Sequence, residues 1–340
     1  MSMLPTRFDD ATQLEDVMTA PTPALVADLA ATPGDLLSLG VGGKMGPTLA
    51  RLAKRAAPAK RVIGVARFSE PGVRARLESV GIECIETDLL DRAAVERLPK
   101  IANVIFMAGR KFGSTGNVPL TWAMNALVPA YVAEAFAASR IIVFSTACVY
   151  AFAPIKGPGA NEEAPLTPPG EYANSCVARE RVFEHFSRVH DTEGRLIRLS
   201  YAIDMRYGVL HDIARKLVGS APIDLSMAAV NVIWQGDANT QILRALRTCT
   251  APMSGLNVSG GIQPIRALAN GLGKRLGRSP RFTGREADDA WVIDCGEAMR
   301  LFGPPTVSIE TLLDWTAEWV ARGGASLGKE THFETRDGNY

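Results

Sequence analysis

The chain has 340 residues, of which 47% are hydrophobic and 21% charged, so it can bury a large core and is not expected to be disordered; one large α/β unit or two modest domains is expected. Its 37 basic and 36 acidic residues leave a net charge of +1, and no run of like charge is long enough for a nucleic-acid or polybasic membrane surface, which leaves a small molecule as the expected partner. Cys84, Cys148, Cys176, Cys249 and Cys295 are scattered without a CxxC pair, which argues against a disulfide framework or zinc site and for a reducing, cytoplasmic compartment.

The opening MSMLPTRFDD lacks the basic-then-apolar order of a secretory signal. LEDVMTAPTPALVADLAATPGD then reads as two short amphipathic helices split by Pro21 and Pro23. They form an N-terminal helical extension, 1–34, packed on the core or on another subunit. From residue 35, short β-branched or Leu-rich runs alternate with longer helical patterns, the signature of a parallel sheet with crossover helices. Strands are expected at 35–41, 61–66, 83–86, 103–108, 140–146, 195–200, 229–234 and 256–258. Most are near-continuously apolar and so should be buried on both faces. Helices at 44–57, 120–138, 172–189 and 236–248 are long enough to cross over the sheet. Right-handed connections then give a Rossmann-type α/β fold, a doubly wound parallel sheet.

The most apolar region, 123–155, is interrupted by Asn125, Glu134 and Arg140, so no bilayer-spanning segment is expected. Beyond residue 200 the order loosens, with Pro222, Gly260, Gly261, Pro304 and Pro305 punctuating shorter helices. The expected division is a dinucleotide-binding domain from 35–203 and 228–258, a smaller C-terminal α/β substrate domain from 204–227 and 259–323, and a polar tail or surface arm, 324–340. Asp237 is expected to cap the helix that follows it. His185, His190, His211 and His332 have no metal-ligand spacing and read as surface or capping residues.

In LLSLGVGGKMGPTLARLAKRA, Gly40, Gly43 and Gly46, with Lys44 and Met45 among them, fall between a predicted strand and a predicted helix. Glycines there allow a tight turn and close backbone approach, and the helix start offers free N–H groups to a pyrophosphate. At the end of the second strand an NAD site usually carries an acidic residue for the ribose hydroxyls, but RVIGVARFS places Ala66 and Arg67 there. A guanidinium suits a 2′-phosphate, so NADP is favoured, with Lys44 as a second cation. The alternative is NAD, with Arg67 as a solvated neighbour. Asp88 and Leu89 follow the third strand, where a carboxylate can meet the adenine amino group and an apolar side chain can cover the ring. Ala108 and Gly109 end the fourth strand, where a small backbone can line the cofactor.

Through GVGGKMG, TDLLD, VIFMAG, VFSTACVYA, EYANSC and VNVIWQGD, residues 35–322 resemble the extended short-chain dehydrogenase/reductase family, the NAD(P)-dependent sugar epimerases and dehydratases. The resemblance implies that Thr146 polarises a substrate oxygen while Tyr172 takes or returns its proton as hydride moves. The family's lysine four residues after the tyrosine is Cys176 here, and no lysine occurs between Tyr172 and Arg188. Arg179, seven residues on and near the same helix face, can supply the electrostatic part of that role; pairing with a carboxylate is its structural alternative. Ala147 and Cys148 stand where 4,6-dehydratases carry an Asp–Glu pair, which disfavours that reaction. Cys148 matches the base of GDP-fucose-synthase-like enzymes, or is a small buried hydrophobe.

Tyr201 stands where the family often has Asn, which puts a nucleotide-sugar substrate in doubt and leaves open a free sugar, sugar acid or other polyol. Arg110, Lys111 and Arg206 lie at carboxyl ends of strands, to grip a carboxylate or phosphate or to stand solvated. Lookalikes commonly form homodimers through the helices at 120–138 and 172–189. The expectation is an NADP-preferring oxidoreductase or epimerase acting on a hydroxyl or keto carbon of a sugar-like molecule. Its rivals are a catalytically silent dinucleotide-binding sensor or scaffold, and an epimerase that keeps NAD tightly bound.

Overall fold

The computed structural model describes residues 4–111, 113 and 116–338, so residues 1–3 of the expected extension and 339–340 of the expected tail lie outside the described residues. Seven parallel strands form the central sheet: β1 (Leu36–Leu39), β2 (Val62–Ala66), β3 (Glu83–Glu86), β4 (Asn103–Phe106), β5 (Arg140–Thr146), β6 (Gly194–Leu199) and β7 (Ser254–Val258). Their spatial order is β7-β6-β5-β4-β1-β2-β3. The chain reverses direction across the sheet at β1, where Leu36 is in register with Val62 on one side and Asn103 on the other. A crevice opens beyond the carboxyl ends of strands at such a reversal, and the site is found there.

The apolar strands are buried for the expected reason. Leu36, Ile105, Ile142, Ile197 and Leu256 pack on one face of the sheet, while Leu37, Val104, Phe106, Val143 and Leu196 pack on the other, as the two-residue repeat of a strand demands. The edge strand β3 leaves Glu83 and Glu86 exposed. The extension folds as α1 (Ala11–Met18), capped by Asp10 accepting from the Gln13 N–H, and α2 (Pro23–Ala30), capped by Thr22 accepting from the Leu25 N–H. Leu14 and Met18 join Phe8, Trp234 and Trp315 in the core of the C-terminal half, whereas Leu25 and Leu29 pack under the sheet. The extension is thereby packed on the core.

Several expectations are corrected. The segment 229–234 is not in the central sheet: Ala229–Asn231 pairs antiparallel with Ile262–Pro264, and Ile233–Trp234 pairs with Ala202–Ile203. An apolar run shows burial and not its partner, so pattern alone could not place it. The helix expected at 120–138 is Val118–Trp122 and Val128–Ala135 joined by a π-helical turn, Ala123–Leu127; Pro129 has no N–H to continue a regular ladder. The tail is exposed over 325–330 but then tucks in, Thr331 being 0% and Phe333 1% exposed. His211 is also buried, its ring nitrogens bonded to the Met205 carbonyl at 2.8 Å and the Ser326 hydroxyl at 3.1 Å. Asp237 lies within the helix Gln235–Arg244 and accepts from the backbone N–H groups of Thr306 and Val307 instead of capping its own helix. Among the described residues, no helix is long and apolar enough to cross a membrane.

Candidate functional site

The chain leaves β1 through Gly40, whose φ of +91° is open to glycine at little cost and whose N–H donates to the Val65 carbonyl at 2.8 Å. The turn closes through Gly43 N–H to Gly40 O at 3.1 Å and Gly46 N–H to Gly43 O at 3.2 Å, and helix α3 (Gly46–Ala56) starts there with Pro47 in its first turn. A Cβ on Gly46 would stand 2.1 Å from the Val41 carbonyl oxygen, so this glycine lets the helix dock against the end of the strand. Two cavities meet at Gly40 and Gly43. One, of about 230 Å³, is lined by Ala66, Arg67, Thr87, Asp88, Leu89 and Gly109. The other, of about 270 Å³, holds Lys111, Thr146, Cys148, Tyr172, Tyr201 and Trp291 in its wall.

This pair of cavities joined over a glycine turn at a helix start suits a dinucleotide, with the pyrophosphate over the turn. Arg67 and Asp88 share the rim of the first cavity, 3.9 Å apart and both exposed, with Leu89 buried beneath. Ala108 lines this cavity with Gly109, and its backbone crosses so near Gly40 that a Cβ there would meet the Ala108 nitrogen at 2.6 Å. Lys44 does not join Arg67. With Met45 it lines the second cavity, where its ammonium donates to the Ala202 carbonyl at 2.8 Å and stands 4.6 Å from the centre of the Tyr207 ring. Burial pushes Lys44 down to about 8, Asp204 opposing and Arg206 adding to the shift.

In the second cavity, β5 delivers Thr146, whose hydroxyl oxygen accepts from the Cys148 N–H at 3.2 Å. Tyr172 enters from the first turn of the helix Glu171–His190. Burial pushes its phenol well above the usual value, the neighbouring Cys176 and Cys148 add to that, and Arg179 opposes. The Tyr172 and Cys176 side chains are hydrogen-bonded to each other, and burial also raises the Cys176 thiol.

Arg179 does not line either cavity. It lies behind the wall, donating to the Phe144 carbonyl at 2.8 Å and the Asn125 carboxamide oxygen at 2.7 Å, so close under Gly109 that a Cβ there would meet its Nη2 at 2.4 Å. Its charge reaches Tyr172 while its hydrogen bonds tie β5, at Phe144, to the π-helical turn, at Asn125.

Of the three cations expected to grip a substrate anion, Lys111 alone lines the second cavity. Its ammonium donates to the Thr331 carbonyl at 3.4 Å; burial lowers its pKa, opposed by Cys148, Cys176 and Asp212. Arg110 turns back to the Gly113 carbonyl at 3.0 Å. Arg206 is paired with Asp204 and Glu15, each at 2.7 Å, and opens on an outer groove.

Sequence reasoning missed Asn125, Ser145, Tyr207 and Trp291. Asn125 had a signal, a polar residue inside an apolar helix: from the π-helical turn it accepts from the Arg110 N–H and Arg179 and donates to the Ser175 hydroxyl at 2.9 Å. Tyr207 and Trp291 come from the half without regular alternation and had none.

Residues 36–204 match the NAD dependent epimerase/dehydratase family, whereas no curated protein matches the chain in sequence. Solved structures share the fold at low identity. A dTDP-glucose 4,6-dehydratase from Streptomyces venezuelae with NAD bound superposes with a TM-score of 0.71 at 20% identity, over 85% of this chain and 97% of that one. A UDP-glucuronic acid 4-epimerase from Bacillus cereus, in complex with UDP-glucuronic acid and NAD, gives 0.71 at 18%, over 85% and 99%. The UDP-glucose 4-epimerase of Thermus thermophilus with NAD gives 0.69 at 20%, over 85% and 99%.

Proposed function

Residues 36–204 belong to the NAD dependent epimerase/dehydratase family, and from that premise we propose that the protein is an NAD(P)-dependent oxidoreductase or epimerase acting on a hydroxyl or keto carbon of a sugar-like small molecule. The observation that carries this reading is the meeting of Thr146, Tyr172 and the Gly40–Gly43 turn around one cavity. A bound nicotinamide dinucleotide supplies the acceptor or donor of hydride. In the oxidative direction the Thr146 hydroxyl donates to the substrate oxygen, and Tyr172, in the ionised form that burial disfavours and Arg179 favours, takes the proton from that oxygen as hydride leaves the carbon, so that a carbonyl and a neutral phenol result. Arg179 lowers the cost of ionising Tyr172 from behind the wall, a role that needs a fixed positive charge and no proton transfer. Cys148 faces the same cavity as a second proton-handling group for an epimerisation.

Arg67 at the rim of the first cavity supports NADP over NAD, because a guanidinium forms paired charge-assisted bonds with a 2′-phosphate. Asp88 and Leu89 sit where the adenine amino group and ring face would lie. Lys111 supports a substrate that carries a negative charge.

A thermal-shift comparison of NADP and NAD, followed by nicotinamide absorbance over a panel of sugars and sugar acids, tests this reading. Both nucleotides should raise the melting point, NADP more, since a ligand at 100 times its Kd stabilises by about 2.7 kcal/mol. A melting point indifferent to both removes the proposal. Cys176 at the lysine position favours one alternative, a catalytically silent sensor or scaffold; cofactor that binds but is never reduced or oxidised would select it.

A further inference from the structure

We propose that the C-terminal segment 326–338 is a specificity element that restricts the reactive cavity to a small sugar acid without a nucleotide attached. The proposal rests on the reaction read above and adds its substrate class. The segment follows the last helix, Ile309–Ala321, and runs behind the wall of the reactive cavity, lining the grooves beside it. Lys111 of the cavity wall touches it directly, and neighbours of Trp291 and Tyr172 touch it in turn. Lys111 donates to the Thr331 carbonyl at 3.4 Å. Trp291 packs on Phe152 with ring centres 4.8 Å apart, and the Arg336 guanidinium covers the same Phe152 ring at 4.1 Å. Gly338 presses on Gly170, two residues before Tyr172, so tightly that a Cβ on Gly338 would stand 2.8 Å from the Gly170 Cα.

The strap is fastened along its length. The Thr331 N–H donates to the Asp212 carboxylate at 2.8 Å, Phe333 is buried in the core of the C-terminal half, and Arg336 pairs with Asp289 at 2.5 Å while donating to the Ser226 carbonyl at 3.1 Å. A bonded, apolar-anchored segment of this kind is part of the fold and not a passing surface arm.

Size and charge then define the occupant. The reactive cavity measures about 270 Å³ and must also admit the nicotinamide end, whereas pockets for drug-sized ligands span about 300–1,000 Å³. A nucleoside diphosphate attached to the sugar exceeds that space and would have to pass the wall that the strap backs. A six-carbon acid meets what the wall offers: the apolar faces of Tyr201, Tyr207 and Trp291, and the Lys111 ammonium for its carboxylate.

Calorimetric titration of the full chain, with NADP present, against glucuronic acid, UDP-glucuronic acid and UDP tests this. The free acid should bind at least about tenfold more tightly than UDP-glucuronic acid. Arg336→Ala, which loosens the strap without emptying the Phe333 site, and Asp212→Ala, which frees Thr331, should each gain about tenfold in affinity for UDP. Equal affinity of the full chain for the free and nucleotide-linked acids overturns the proposal. So does continued exclusion of UDP by both loosened chains. Glucuronic acid that fails to bind while NADP binds overturns the substrate class and leaves the dinucleotide reading standing. Failure of both nicotinamide nucleotides sinks that reading instead, and the UDP comparison still decides the strap.

Discussion

The two cavities that meet at Gly40 and Gly43 are assembled in different ways. The wall of the first comes from consecutive strand ends, Ala66 and Arg67 at the end of β2, Asp88 and Leu89 after β3, Ala108 and Gly109 after β4. Each lies at a fixed offset from a strand that the alternation of apolar and helical runs already marks. The second draws on Lys111, Thr146, Tyr172, Tyr201 and Trp291, backed by a strap from the end of the chain. The wall of the first cavity is thus written into local sequence, whereas that of the second depends on contacts between residues up to 220 positions apart, the separation of Lys111 and Thr331.

If the two halves are separable, a substitution in one should spare the other. Tyr172→Phe is the strongest test. Turnover should fall by about a thousandfold, as for loss of a general acid–base group, with cofactor affinity unchanged. Arg179→Met should reproduce part of that loss and should shift the pH profile of turnover upward. It should also destabilise by about 1–3 kcal/mol in urea, because the buried Phe144 carbonyl and Asn125 carboxamide lose a donor. Normal turnover in Arg179→Met would remove its electrostatic role.

The converse test is Arg67→Ala, which should weaken NADP by about tenfold, leave NAD untouched and preserve turnover at saturating cofactor. Equal loss for both nucleotides would show that Arg67 does not read the 2′-phosphate.

The smallest effect concerns Lys44 at the junction. Its folded value of about 8 lies below its ordinary 10.5, so between those values the unfolded chain binds the extra proton and stability rises with pH. Below about 8 both states are protonated, and burial of the charge costs stability throughout that range. Urea midpoints at pH 7.5 and 9.5 should show the rise for the native chain and a smaller one for Lys44→Met. A rise unchanged in Lys44→Met would assign it to another group.

Much of the fold was legible because its signals are local. The runs at β1, β2, β4, β5 and β6 are apolar on both faces and punctuated by helix-length segments, which a sandwiched parallel sheet requires. The glycine turn was legible because close helix–strand docking at Gly46 tolerates no side chain. Tyr172 and Thr146 were singled out only through the family resemblance, which assigns roles to positions at set offsets from β5 and the next helix.

What the sequence by itself determined is the doubly wound sheet, the glycine turn and the helical extension, since periodicity, backbone freedom and capping act over a few residues. Only the tertiary structure decided that 229–234 leaves the sheet, that Lys44 turns from Arg67 toward Tyr207, that Lys111 and not Arg206 enters the cavity, and that a polar-looking tail buries Thr331 and Phe333. Each of those outcomes depends on which distant group stands nearby to accept a hydrogen bond or cover an apolar face, information that no local pattern of residues carries.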